Sequence, residues 1–238
     1  MIVLNGGPRQ SISEATFLPI DSHSIPFNKG LLLELKPGRK ANFDTGHGFD
    51  PDHPGKVLVP QGPAPDPDCK EVCYYGSVLH VDGEYRMWYL GRGEDEMRKA
   101  SYAVSKDGME WTKPELGIVE YNGSTANNLV GFRTGDSEYH AEHVNFCLVI
   151  HDPDDADVSR RFKMVFELHP RDIRAAFSED GLHWTLSPHN PIIKGNNIET
   201  GGLVRYGGCY YLNGQGGGMP HPVRGAGKRT LVTFASYD

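Results

Sequence analysis

The sequence predicts an all-β chain built as a β-propeller of four-stranded blades, and three observations carry that prediction. Its 238 residues include 29 Gly and 17 Pro, so about a fifth of the chain breaks helices and makes turns. One pattern, S-x-D-G-x-x-W, occurs at Ser105–Trp111 and again with the same internal spacing at Ser178–Trp184, and a third copy begins at Ser236. Between these copies, short alternating apolar runs are punctuated by tight-turn residues at the scale of one sheet unit per repeat.

Each element follows from its local chemistry. In the first unit Gly76 to Val81 reads as a strand, Asp82-Gly83 as a two-residue hairpin, Glu84 to Leu90 as the returning strand and Ala100 to Val104 as the third. A fourth strand is expected after Trp111. The second unit repeats the order with Val144 to Ile150, the longer Asp-Pro turn HDPDDADVS, Arg161 to Leu168 and Ile173 to Phe177. The third has Gly202 to Tyr206, Gly207-Gly208, Cys209 to Asn213, a Gly-rich loop and Arg229 to Ala235. Blades are therefore expected at about 71–135, 136–195 and 196–238. Residues 1–70 form an irregular N-terminal segment, whose weak runs at Ile12 to Leu18, Leu31 to Leu35 and Val57 to Val59 suit a ring-closing strand or a partial blade. Because the third S-x-D stops at Asp238, the chain is expected to be incomplete, with about three blades present and an open strand edge. A set of unrelated hairpins in a β-sandwich is the competing architecture.

Composition narrows the function. A formal charge of -7 and a pI near 5.9 leave no basic stripe for phosphates, so nucleic acid and anionic membranes are not expected partners. No transmembrane run and no signal peptide is readable, which leaves a soluble chain of unknown address. The cysteines Cys69, Cys73, Cys147 and Cys209 are too scattered for a disulfide framework, although Cys69 and Cys73 are near enough in sequence to bridge. His140, Glu142 and His143 have metal-ligand spacing without a supporting Cys or third His. No metal and no cofactor is expected.

The S-x-D-G-x-x-W turns are structural: Ser and Asp side chains close the turn on backbone N–H groups, Gly takes positive φ and Trp packs between blades. In a propeller, residues just before the first strand of a blade and in its second-to-third-strand loop open onto one face of the channel, and the hairpins onto the other. That rule selects Glu71, Tyr75, Arg92, Glu142, His143, Asn145, Glu167, Arg171, Asp172 and Glu199 as candidates on one rim. Carboxylates and guanidinium forks hold sugar hydroxyls, aromatics stack on ring faces, and two carboxyls flank a scissile glycosidic bond. The charged run Glu94-Asp95-Glu96 between Arg92 and Arg98 reads instead as a solvated, ion-paired loop.

With its S-x-D-G-x-x-W turns, the chain resembles the five-bladed β-propeller glycosidases, the superfamily of the family 43 arabinanases and xylosidases and the family 32 fructan hydrolases. The stretch Ile198-Glu199-Thr200-Gly201-Gly202-Leu203, continuing to Tyr210-Tyr211-Leu212, resembles the family 43 segment in which Ile-Glu-Gly-Pro leads into a strand, a Gly turn and a Tyr-Tyr strand. The resemblance implies that Glu199 is the general acid, and Thr200-Gly201 stands where Gly-Pro is usual. Arg171-Asp172 is similar to the Arg-Asp-Pro of family 32, with Ile173 in place of Pro. The family's blade-one Asp is missing: ungapped alignment of the first strands puts Tyr74 opposite Glu199, and Glu71 is the nearest carboxylate.

Three readings follow. The first is a glycoside hydrolase acting on an oligo- or polysaccharide, with Glu199 as acid, kept protonated by burial among Ile198 to Gly202, and Glu71 as base or nucleophile. The second is a phosphorylase or transferase on the same scaffold. The third is a non-catalytic carbohydrate-binding propeller.

Overall fold

In the computed structural model, residues 59–168, 172–194, 198–216 and 230–237 are described. The weak runs placed at Ile12 to Leu18 and Leu31 to Leu35, and most of Val57 to Val59, lie outside them. Among these residues there is no α-helix; eleven strands and one short 3₁₀ turn at Val158–Arg160 make up the regular structure.

Three sheets follow one another along the chain. The first is β1 (Glu71–Val81), β2 (Glu84–Arg92) and β3 (Arg98–Ser105), antiparallel in that order. The second runs β4 (Gly131–Arg133), β8 (His183–Leu186), β7 (Asp172–Ser178), β6 (Phe162–Leu168), β5 (Val144–His151), with β4 parallel to β8 and the rest antiparallel. The third is β11 (Thr230–Ser236), β10 (Cys209–Gly216), β9 (Ile198–Tyr206). The first strands of the sheets stand side by side, β1 against β5 and β5 against β9, and the Ser77 hydroxyl accepts from Val149 N–H at 2.8 Å across the first of these contacts.

The turns obey the chemistry that predicts them. Asp82 and Gly83 both take positive φ, 54° and 79°, as the tight hairpin joining β1 to β2 requires. In both repeats the Ser hydroxyl accepts from the Gly N–H at 2.9 Å. The Asp carboxylate takes two further N–H groups in each, from Met109 and Glu110 and from Leu182 and His183. Burial pushes the Asp180 carboxyl up, but the His183 N–H and ring and the other donors outweigh it and hold the group below the ordinary aspartate range.

The expected fourth strand of the first sheet does not form. Two isolated bridges return to β3, Thr112 to Val104 and Leu129 to Ser101, and no ladder forms between them because Pro114 lacks a donor and Gly117, Asn122 and Gly123 turn the chain with positive φ. The chain instead reaches β4, which joins the outer edge of the next sheet.

The middle sheet explains its own composition. Cys147, Val149, Met164 and Phe166 face one way, into a core with Trp88, Leu90, Tyr102, Phe132 and Trp184. Phe146, Leu148 and Val165 face the other way, against Ile198 and Leu212 of the third sheet. A strand covered on both faces reads as an apolar run rather than an alternation, as β5 does. Trp88 is fully buried in the seam between the first two sheets and donates its indole N–H to the Gly181 carbonyl at 2.7 Å.

Candidate functional site

Antiparallel pairing sends the start of β1, β5 and β9 and the end of β2, β6 and β10 to the same end of each sheet, opposite the β1–β2, β5–β6 and β9–β10 hairpins. The candidate residues collect there as polar pairs between adjacent strands. Glu71 opposes Arg92 across β1 and β2, and Arg92 Nε donates to Glu71 Oε2 at 2.8 Å. Arg98, at the start of β3, adds bonds to both Glu71 oxygens, 2.8 Å to Oε1 and 3.2 Å to Oε2. In the second sheet Asn145 Nδ2 donates to Glu167 Oε1 at 2.8 Å, and in the third Gln215 donates its amide to the opposing Glu199.

Each first strand also carries a register shift at this level: between Cys73 and Ser77 in β1, between Val144 and Cys147 in β5, and opposite Asn213 and Gly214 in β9. Bulges beside a site re-aim side chains, and these three do so next to the candidate residues. In β1 the unpaired residues are Tyr74, Tyr75 and Gly76; both tyrosines are exposed, at 59% and 45%. Gly76 is fixed by packing, since a Cβ there would meet the Trp88 carbonyl oxygen at 1.8 Å.

Electrostatics separate the carboxylates. The Arg98 guanidinium, with Arg92 beside it, holds the Glu71 carboxyl below the ordinary glutamate value, so Glu71 is ionised at neutral pH. Glu167 is buried and accepts from the neutral amide of Asn145. Glu199 is exposed, which corrects the expectation that Ile198 to Gly202 bury it: Ile198 and Thr200 point inward, whereas Glu199 and Gly201 alternate outward. Glu199 and Tyr75 line one open depression of about 630 Å³, with Thr200, Gly201, Asn213, Gly214, Gln215 and Leu231. Gly214 belongs to it by necessity, because a Cβ would lie 2.4 Å from the Glu199 carbonyl oxygen.

Other candidates stand apart from these pairs. Glu142 binds His140 at 3.1 Å. His143 is half-buried just before β5, and Asp172 opens β7 opposite Leu168. Arg171 lies outside the described residues. Arg92 and Arg98, which the sequence places at the loop between the second and third strands, are the last residue of β2 and the first of β3, and in the charged run between them Glu96 pairs with Lys70 and Arg92 on the surface. Sequence reasoning missed Thr200 and Asn213; the signal was the departure at Thr200 from the glycosidase motif. All four cysteines are free thiols, and among the described residues no group of three or more His, Cys, Asp and Glu is placed to hold a metal. No helix among them is long and apolar enough to cross a membrane. A second cavity of about 500 Å³ in the seam between the second and third sheets is lined by residues such as Val165, Phe177, Leu203 and Phe234, and holds none of the candidates.

No family model matches the chain, and none of the curated proteins matches its sequence. Among solved structures, it is similar to Zg3597, a family 117 glycoside hydrolase from Zobellia galactanivorans, at 12% identity and a TM-score of 0.52 over 78% of this chain and 49% of that one. The two share a fold. The chain spans about half the length of that hydrolase. Weaker matches include an N-acetylgalactosamine deacetylase from F. plautii, at 12% identity and a TM-score of 0.45, covering 71% of this chain and 50% of that one. A family 32 beta-fructofuranosidase from Bombyx mori matches at 14% identity and a TM-score of 0.44, covering 68% of this chain and 33% of that one.

Proposed function

We propose that this protein is a carbohydrate-active hydrolase that cleaves glycosidic bonds at the rim where β1, β5 and β9 begin. The observation that carries this reading is the set of cross-strand carboxylate pairs at that rim, Glu71 with Arg92 and Arg98, Glu167 with Asn145, and Glu199 with Gln215. The fold shared with a glycoside hydrolase supports it as an analogy.

Glu199 is the general acid. It is open to solvent in the free protein, where a bound sugar would cover it. Glu71 is the second carboxylate, held ionised by Arg98 and Arg92 and oriented as base or nucleophile. Those same guanidinium bonds reduce the basicity of both oxygens, which is the specific observation favouring a second reading, sugar binding without turnover.

The test is Glu199→Gln, assayed on oligosaccharides and on aryl glycosides with activated leaving groups. General acid assistance contributes about 10²–10⁴-fold, so turnover should fall by that order where the leaving group is poor and by less where it is activated. Equal turnover of wild type and variant on both substrates removes Glu199 as the acid.

A further inference from the structure

The seam between the first two sheets is closed by a strand. β8 pairs antiparallel with the outer edge of β7, Phe177 opposite Thr185 and Ala176 opposite Leu186, and its Trp184 is fully buried in the core shared with Trp88, Tyr102 and Met164. In the third sheet β11 stands where β7 stands in the second. Ser178 and Ser236 each begin an S-x-D, and the cross-strand pairs Phe162 with Ser178 and Met164 with Ala176 recur as Tyr210 with Ser236 and Leu212 with Phe234. Among the described residues no strand pairs with the outer edge of β11. Its sequence, TLVTFAS, contains neither the Pro nor the charged residue that usually blunts an open edge.

The cavity of about 500 Å³ lies on the face to which a strand added at that edge points its core residue. Successive strand residues alternate between faces, so Trp184 shares its face with Leu186 and Ala176, and with Met164 and Phe162 of β6. Their counterparts Phe234, Leu212 and Tyr210 line the cavity together with Ser236. The opposite wall includes the cross-strand pair Val165 and Ala175, in the register held by Trp88 and Tyr102 in the first sheet. Two large rings are thus replaced by two small side chains, and the space left is far beyond what close-packed interiors leave empty. All three tryptophans of the chain are already placed, Trp88 and Trp184 in the first seam and Trp111 against Met87 and Tyr89. An indole for the second seam therefore comes from another polypeptide.

We propose that the seam between the second and third sheets is a docking site for an extended partner strand that adds antiparallel to β11 and inserts a tryptophan into the cavity. Main-chain hydrogen bonds to β11 supply affinity, and the one pocketed ring supplies selectivity. The site is separate from the carboxylate rim, since the cavity holds none of the candidate residues, and it stands whether or not the rim cleaves sugars.

The probe is a fluorescent peptide with the sequence GLHWTLS, a copy of Gly181–Ser187. Its binding to the full chain is followed by anisotropy, and amide hydrogen exchange reports where it sits. The peptide should slow exchange along Thr230–Ser236 by about tenfold or more, and the same peptide with alanine for its tryptophan should bind about tenfold more weakly or worse. Ala175→Phe fills the cavity from the second sheet. It leaves the main-chain bonds between Ala175 and Asn190 in place, so this variant should fold at least as stably as wild type and bind the peptide about tenfold more weakly or worse. Ala175→Leu is a smaller filling that keeps the comparison open if phenylalanine unfolds the chain, and it should also weaken binding. Four results overturn the proposal: no binding of the peptide, equal binding of its alanine version, unchanged affinity in the filled variants, or protection at β7 instead of β11. A stable dimer of the chain that excludes the peptide would give the seam to a second copy and overturn it as well.

Discussion

The two S-x-D-G-x-x-W turns share their Ser, Asp, Gly and Trp and differ in surroundings, which makes Gly→Ala at their third conserved position a controlled comparison. Gly108 and Gly181 have φ of 77° and 81°, so alanine at either position carries the left-handed penalty of about 1–2 kcal/mol. Space decides the rest. A Cβ on Gly108 meets nothing nearer than the Tyr85 ring at 3.9 Å, ordinary contact. On Gly181 it would lie 2.7 Å from Trp88 Cζ2 and 3.4 Å from Phe162 Cδ1, inside a core where Trp88 is fully buried. Overpacking of that kind costs about 1–3 kcal/mol more, so Gly108→Ala should lose about 1–2 kcal/mol and Gly181→Ala about 2–5. The assay is equilibrium urea unfolding of both variants and wild type, accepting the comparison where the slopes agree. A second variant localises the clash. Trp88→Phe removes the offending ring edge, so the pair Gly181→Ala and Trp88→Phe should couple by roughly 1 kcal/mol or more, whereas Gly108→Ala and Trp88→Phe should add. Equal losses from the two alanines would refute the idea that the second turn is the docking point between sheets.

Other expectations are simpler to read. Asp68 is 1% exposed and accepts from Tyr89 Oη at 2.7 Å, Lys113 Nζ at 2.5 Å and Gly62 N–H at 3.1 Å. Asp68→Ala strands those donors and should cost about 3–5 kcal/mol in thermal or urea unfolding; a loss below 1 kcal/mol would contradict its anchoring role. Glu71 has its carboxyl lowered from 4.5 by the Arg98 and Arg92 contacts, so its contribution is fully present above that value and is lost as pH falls through the lower folded-state value. The stability gap between wild type and Glu71→Gln should therefore be constant at neutral pH and close in strong acid; a gap that widens on acidification would reverse the sign of the interaction.

Much of the fold is legible because turns are written in residues that few other conformations tolerate. Asp82-Gly83, Gly207-Gly208 and the two Ser–Asp–Gly turns all sit where the sequence places them, since positive φ and side-chain closure are local properties. Bulges are not local in that sense. Gly76 reads as the start of a strand, but β1 begins at Glu71 and Gly76 marks a bulge forced by the close Trp88 carbonyl, a neighbour in space alone. The same bulge defeats ungapped alignment, which sets Tyr74 opposite Glu199. Pairing puts Glu71 against Arg92 as it puts Glu199 against Gln215. The fourth strand expected after Trp111 fails for a related reason: what lies beside Thr112 is decided by where β4 finds an edge to join.

Hydrolysis of glycosidic bonds at the carboxylate rim is tested by following neutral oligosaccharides with the protein in heavy-oxygen water. The expected product is a sugar carrying one solvent-derived heavy oxygen at its anomeric carbon, formed with no dependence on phosphate and lost in Glu199→Gln. A product that forms only with phosphate and carries no solvent oxygen, or tight binding with no product at all, would contradict it.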